Sequence, residues 1–137
     1  MSPAALRIGT LEMTAALAAI ALIGARSRSR SPLDRVAPVG IVLGISERGS
    51  HSRHSGLVPL DIGRASGLGL VLNDPQVSRL HARLEPRDGI IFLRDLDSSN
   101  GTFLNGSRVI SPIEVRVGDE IDVGGTRLTV EDMSLWT

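Results

Sequence analysis

Arg64 comes directly after a glycine that closes the apolar run Leu57–Ile62, so its guanidinium projects from a loop above the sheet that run enters. A guanidinium so placed can donate paired, charge-assisted hydrogen bonds to phosphate oxygens. Ser78 lies three residues past the Asp74-Pro75 turn. It offers a short hydroxyl donor, and Arg79 beside it adds a second positive centre. Ser99 and Asn100 sit in a further turn whose amide and hydroxyl groups can hold a peptide backbone. A phosphorylated side chain brings about −1.5 to −2 charge and strong acceptor oxygens. Two arginines and two hydroxyls meet that demand.

Other chemistries can be assembled from the same chain. Ser78, His81 and Asp95 are the residue types of a hydrolase triad. Yet Ser78 lacks the Gly-x-Ser-x-Gly elbow, and no helix follows it to build an oxyanion site. With His81 on a strand, a residue three positions away faces the opposite side. His51-Ser-Arg-His54 has a spacing seen among zinc ligands, but His81 is the only other histidine and there is no cysteine. A polar loop is the simpler reading. Gly67-x-Gly69 precedes a strand-like run, not a helix, which excludes a nucleotide-binding turn. The residues point to binding without catalysis, and they require neither a metal nor a cofactor.

Singly, each residue has an ordinary explanation. Asn100-Gly101 and Asn105-Gly106 are common hairpin turns, Arg64 alone is a solvated arginine, and His81 alone is a satisfied core histidine. Jointly they form a pattern. It runs through Ile62-Gly63-Arg64, then Val77-Ser78-Arg79-Leu80-His81-Ala82, then Asp95-Leu96-Asp97-Ser98-Ser99-Asn100-Gly101-Thr102-Phe103-Leu104-Asn105-Gly106. Gly-Arg, a Ser-x-x-His some fourteen residues later, and Ser-Asn-Gly-Thr followed by Asn-Gly resemble the forkhead-associated (FHA) family. Val117-Gly118-Asp119-Glu120-Ile121 and Val123-Gly124 resemble its closing strands, so the likeness covers about residues 39–131.

The resemblance implies a module that binds phosphothreonine peptides. Positions matching Arg64, Ser78 and Arg79 would contact the phosphate or the phosphothreonine main chain, and those matching Ser99 and Asn100 the phosphate-adjacent and backbone groups. A small apolar pocket for the threonine methyl would discriminate against phosphoserine. His81 is expected to brace the binding loop, and Gly63, Gly101, Thr102, Asn105 and Gly106 to form turns. Gln76 lies where the side chain three positions after the phosphothreonine is read. The implied partner is a phosphothreonine-containing protein, a Ser/Thr kinase or its substrate, and the implied role is that of an adaptor. A scaffold of the same fold without phosphate dependence is the alternative.

Short β-branched or alternating runs must position these residues. They cover residues 39–45, 57–62, 68–72, 80–84, 90–93, 102–104, 113–117, 120–123 and 126–130, with Glu47 to Ser55 read as a polar loop. Gly, Asn, Asp and Pro punctuate them, as in Asn73-Asp74-Pro75, Asp88-Gly89 and Gly124-Gly125. Regular spacing of this kind indicates a β-sandwich or barrel. With the resemblance, the expected fold is all-β: a sandwich of about ten or eleven short strands, preceded by an N-terminal apolar helix.

The chain has 137 residues, enough for one domain and a short appendage. All fifteen basic residues are arginine, a usage that suggests a GC-rich bacterial genome. Residues 1–35 hold five arginines against Glu12 and Asp34, 5 − 2 = +3, so the neutral chain carries −3 in its remainder. A net-acidic domain argues against non-specific nucleic-acid binding. Met13 to Ala25 is uncharged and rich in alanine and leucine, hence helical. Extended back to Ala4 it reaches the length of about 20 residues that spans a bilayer, at the cost of including Arg7 and Glu12. The following Arg26-Ser-Arg28-Ser-Arg30 cluster is what a cytoplasmic boundary carries. The expected organisation is therefore an anchor and Arg/Ser-rich linker over residues 1–35, and a cytoplasmic binding domain over 36–137. An amphipathic leader without a membrane role is the alternative.

Overall fold

Along β1 (Val39–Glu47), Val39, Ile41 and Leu43 are buried, as the two-residue period of a strand requires. The same alternation buries Leu60 and Ile62 of β3 (Leu60–Gly63), Ala82 and Leu84 of β5 (Ala82–Arg87), and Ile91 and Leu93 of β6 (Ile90–Asp95). It recurs at Ile121 and Val123 of β10 (Glu120–Val123), and at Leu128 and Val130 of β11 (Thr126–Leu135). Shorter strands complete the set: β4 (Leu70–Val71), β7 (Thr102–Leu104), β8 (Ser107–Arg108) and β9 (Ile113–Glu114). The structure is a computed structural model and describes residues 39–135. The helix and anchor expected over residues 4–25 lie outside the described residues.

Two sheets pack their apolar faces together. One has six strands in the order β2-β1-β11-β10-β7-β8, the other five in the order β4-β3-β5-β6-β9. With eleven strands in two layers among the described residues, their fold is the expected all-β sandwich. The core is aliphatic, built from Leu, Ile and Val of both layers.

One expectation fails at the element scale. The polar stretch Glu47 to Ser55, read as a loop, holds the end of β1 and most of β2 (Ser50–Leu57), which pairs with β1 in unbroken register from Gly40↔Leu57 to Glu47↔Ser50. β2 is an edge strand held by its backbone, and most of its side chains are exposed. Burial therefore imposes no apolar alternation on it. The run Leu57–Ile62 correspondingly divides, Leu57 ending β2 and Leu60 opening β3.

The pairing brings five connections to one end of the sandwich. They are the β1–β2 turn, the β3–β4 and β4–β5 loops, the β6–β7 loop and the β10–β11 turn. The β7–β8 turn at Asn105-Gly106 lies at the opposite end.

Candidate functional site

The β3–β4 and β4–β5 loops are sewn together by their backbones. The amide of Arg64 donates to the Ser78 carbonyl at 3.0 Å, Ala65 N to Arg79 O at 3.1 Å, and His81 N to Ile62 O at 2.9 Å. Arg64 Nε donates to the Val77 carbonyl at 3.1 Å, which fixes the plane of an exposed guanidinium. Its two terminal nitrogens have no partner among the described residues, and they form the donor pair that a phosphate takes in a bidentate fashion.

The β6–β7 loop closes the other side. Ser99 N donates to Ser78 Oγ at 3.0 Å. With that bond accepted, the Ser78 hydroxyl proton is left to donate outward. Asn100 Nδ2 donates to the Gln76 carbonyl at 2.7 Å, leaving its Oδ1 and second N–H for a peptide backbone. Arg79 is exposed beside them. The structure thus brings together Arg64, Gln76, Ser78, Arg79, Ser99 and Asn100.

His81 stands behind this surface, fully buried. Its Nδ1 accepts from Ser78 N at 3.0 Å, and its Nε2 faces the Gly101 carbonyl at 2.9 Å. The first bond makes Nδ1 an acceptor, so the ring is the Nε2–H tautomer and donates to Gly101. One imidazole thereby ties the Ser78 loop to the Asn100 loop. No hydrolase triad is present in this arrangement. Ser78 meets His81 through its amide, and Asp95 accepts from Ser98 Oγ at 2.5 Å and Thr102 Oγ1 at 2.6 Å instead.

Two of the expected turn formers act differently. Gly63 is a strand residue whose Cα lies under the other loop: a Cβ there would sit 2.2 Å from the Arg79 carbonyl oxygen. Thr102 is buried at the start of β7, and its hydroxyl serves Asp95. Gly101 and Gly106 do turn the chain, with φ of 84° and 87°. Asn105 and Gly106 shape the far end, where Asn105 bonds Asp119 and Glu120, so they have no contact with the site.

Asp74 is the supporting residue that the sequence did not single out. It is 4% exposed. Its Oδ1 accepts from Gln76 N, and its Oδ2 accepts from Gly125 N and Thr126 Oγ1, each at 2.9 Å. It fixes the β4–β5 loop to the β10–β11 turn. The Asp-Pro-Gln spacing signals the local half of this, an Asx-type turn, while the distant half has no sequence signature. His51 and His54 lie three apart on β2, on opposite faces, and no group of three metal-ligating side chains occurs among the described residues.

The FHA domain family pattern matches residues 60–124, from β3 through the turn after β10. FhaB of Mycobacterium tuberculosis is 34% identical over 107 residues, 78% of this chain and 65% of FhaB. The oxoglutarate dehydrogenase inhibitor of Corynebacterium diphtheriae is 31% identical over 112 residues, 77% of this chain and 75% of the inhibitor. Among solved structures, Mycobacterium tuberculosis EmbR in complex with a low-affinity phosphopeptide is similar with a TM-score of 0.59 and 26% identity. That match covers 66% of this chain and 24% of EmbR. A chain from a study of phosphothreonine-dependent FHA domain interactions is similar with a TM-score of 0.56 and 27% identity, covering 68% of this chain and 96% of that one. The two-layer sandwich and the spacing of its loop residues place the domain in the class of FHA-fold modules, which includes one studied for phosphothreonine-dependent interactions. The chain belongs to the FHA domain family. It spans 65% of the length of the tuberculosis FhaB and 44% of that of Mycolicibacterium smegmatis.

Proposed function

We propose that this protein is a phosphothreonine-dependent adaptor in Ser/Thr kinase signalling, held at the cytoplasmic face of the membrane by residues 4–25. The domain over residues 36–137 reads a phosphorylated threonine on a kinase or a kinase substrate. Arg64, Ser78 and Arg79 take the phosphate or the phosphothreonine main chain, and Ser99 and Asn100 the phosphate-adjacent and peptide-backbone groups. The observation that carries this reading is the Arg64 guanidinium, pinned through Nε to Val77 with both terminal nitrogens open, next to a Ser78 hydroxyl oriented by Ser99. That is a rigid donor cluster aimed at a tetrahedral dianion.

Calorimetric titration with a degenerate phosphothreonine library, its phosphoserine counterpart and its unphosphorylated form tests the reading. Binding should be confined to phosphothreonine. Arg64→Ala should abolish it while the circular dichroism spectrum and melting curve stay as in the parent. Equal binding of phosphorylated and unphosphorylated peptides would establish a phosphate-independent scaffold instead.

A further inference from the structure

Ten arginines lie between Arg48 and Arg127. Arg53, Arg83, Arg87, Arg94, Arg116 and Arg127 each stand 2.5 to 3.9 Å from a carboxylate oxygen. The four without such a partner among the described residues are Arg48, Arg64, Arg79 and Arg108, and all four are exposed around the loop end. Arg64 and Arg79 belong to the site. The other two lie beyond its opposite edges.

Arg48, in the β1–β2 turn, shares a hollow with Gly124 and Gly125. Those glycines lie against Gln76: a Cβ on Gly124 would be 2.9 Å from the Gln76 carbonyl carbon, and one on Gly125 3.3 Å from its Oε1. Arg108, on β8, lies against Gly101, with its Nε 3.3 Å from where a Cβ would be. Gln76 and Asn100 are themselves bonded. A line of neighbours therefore runs Arg48, Gly125, Gln76, Asn100, Arg108, all exposed, with Arg108 lying over the buried Gly101 and an arginine at each end.

No carboxylate among the described residues forms an ion pair with Arg48 or Arg108. Asp74 and Asp95 keep their charge but direct their oxygens to amides and hydroxyls within the loops, and Asp74 attracts Arg48 without forming an ion pair with it. Asp122 shares the hollow of Arg48 but is held by Arg127 at 2.8 Å. Asp97 shares the hollow of Arg108 without forming an ion pair. An exposed guanidinium outside any ion pair stands at each end of this line, where the carboxylate of an extended ligand can take its paired donors.

We propose that Arg48 and Arg108 are specificity-determining residues that select phosphothreonines with acidic side chains on both flanks, one arginine reading each side. This rests on the phosphothreonine reading above. In an extended peptide, a residue advances about 3.3 Å, so Glu or Asp within a few positions of the phosphothreonine reaches past Gln76 on one side and Gly101 on the other.

The test is calorimetry on the full chain with four phosphothreonine peptides: alanine on both flanks, glutamate on the N-terminal flank only, on the C-terminal flank only, and on both. An unphosphorylated peptide with both acidic flanks is the fifth probe. The doubly acidic phosphopeptide should bind about tenfold more tightly than the alanine-flanked one, with about threefold from each flank, the scale of exposed ion pairs. Arg48→Gln should cancel the gain from one flank and Arg108→Gln the gain from the other, with Arg→Lys at either position restoring most of it. Equal affinity for all four phosphopeptides, or a gain that survives both substitutions, overturns the proposal and leaves the phosphothreonine reading standing. Equally tight binding of the unphosphorylated acidic peptide, or no binding of any phosphopeptide, overturns both.

Discussion

Asp74 and Asp95 carry opposing influences in one carboxyl group each. Burial pushes both pKa values up. The Gln76 amide, Thr126 hydroxyl and Gly125 amide outweigh it at Asp74, and the Ser98 and Thr102 hydroxyls at Asp95, so both end below the ordinary aspartate value. A folded pKa below the unfolded one, about 3.9, stabilises the native state above that pH. The stabilisation is lost as pH falls through the folded value. Denaturant unfolding followed by circular dichroism should therefore show a loss of stability from pH 5 to pH 3. In Asp74→Asn that loss should be smaller, on top of a deficit of about 2 kcal/mol at pH 7 from weakened bonds to a charged acceptor. An unaltered acid response in this variant would mean that Asp74 does not titrate with folding. At this scale the sequence was readable where residues combine into a pattern. Arg64, Ser78 and Asn100 stood out only through their joint spacing, since each alone is an ordinary loop residue, and the structure brings the three together. Asp74 did not, because Gly125 and Thr126 are 51 and 52 positions away.

Strands and their connections set how closely the loops approach. Gly63 lets the Arg79 carbonyl pack onto β3, and its φ is not in the left-handed region. Gly63→Ala should separate the two loops, costing about 1–3 kcal/mol by overpacking and removing phosphopeptide affinity. Gly106 is a control for simple destabilisation. It has φ of 87° at the far end of the sandwich, so Gly106→Ala should lose about 1–2 kcal/mol with affinity retained. Chemical denaturation beside calorimetry distinguishes the two, and a common loss of affinity would remove the special role given to Gly63. The strands that bury a face were legible from alternation, as at Ile121 and Val123. β2 was not, because Ser50 to Leu57 is an edge strand whose side chains mostly face solvent while its backbone pairs with β1. Hydrogen bonding without burial leaves little trace in residue order.

On the scale of the whole molecule, charge is divided: +3 over residues 1–35 and −3 over the rest. The proposed anchor predicts that the full chain sediments with membranes and that a chain lacking residues 1–30 is released. Sedimentation of both forms alike, or of neither, would remove the tether. The two-sheet architecture was readable in the sequence as a class, since punctuated short strands allow few alternatives. The strand order was not, because β1 pairs with β11 across almost the full domain. The same remoteness governs the binding loop. Asp74 completes its hydrogen bonds on Gly125 and Thr126, in the β10–β11 hairpin, translated after the other strands of the sandwich. A nascent chain that already holds Arg64, Ser78 and Asn100 still lacks the strut that sets them. The loops thus gain their complete support only after residues 125 and 126 are made, and a ribosome stalled before residue 125 holds a chain that cannot yet assemble the complete site.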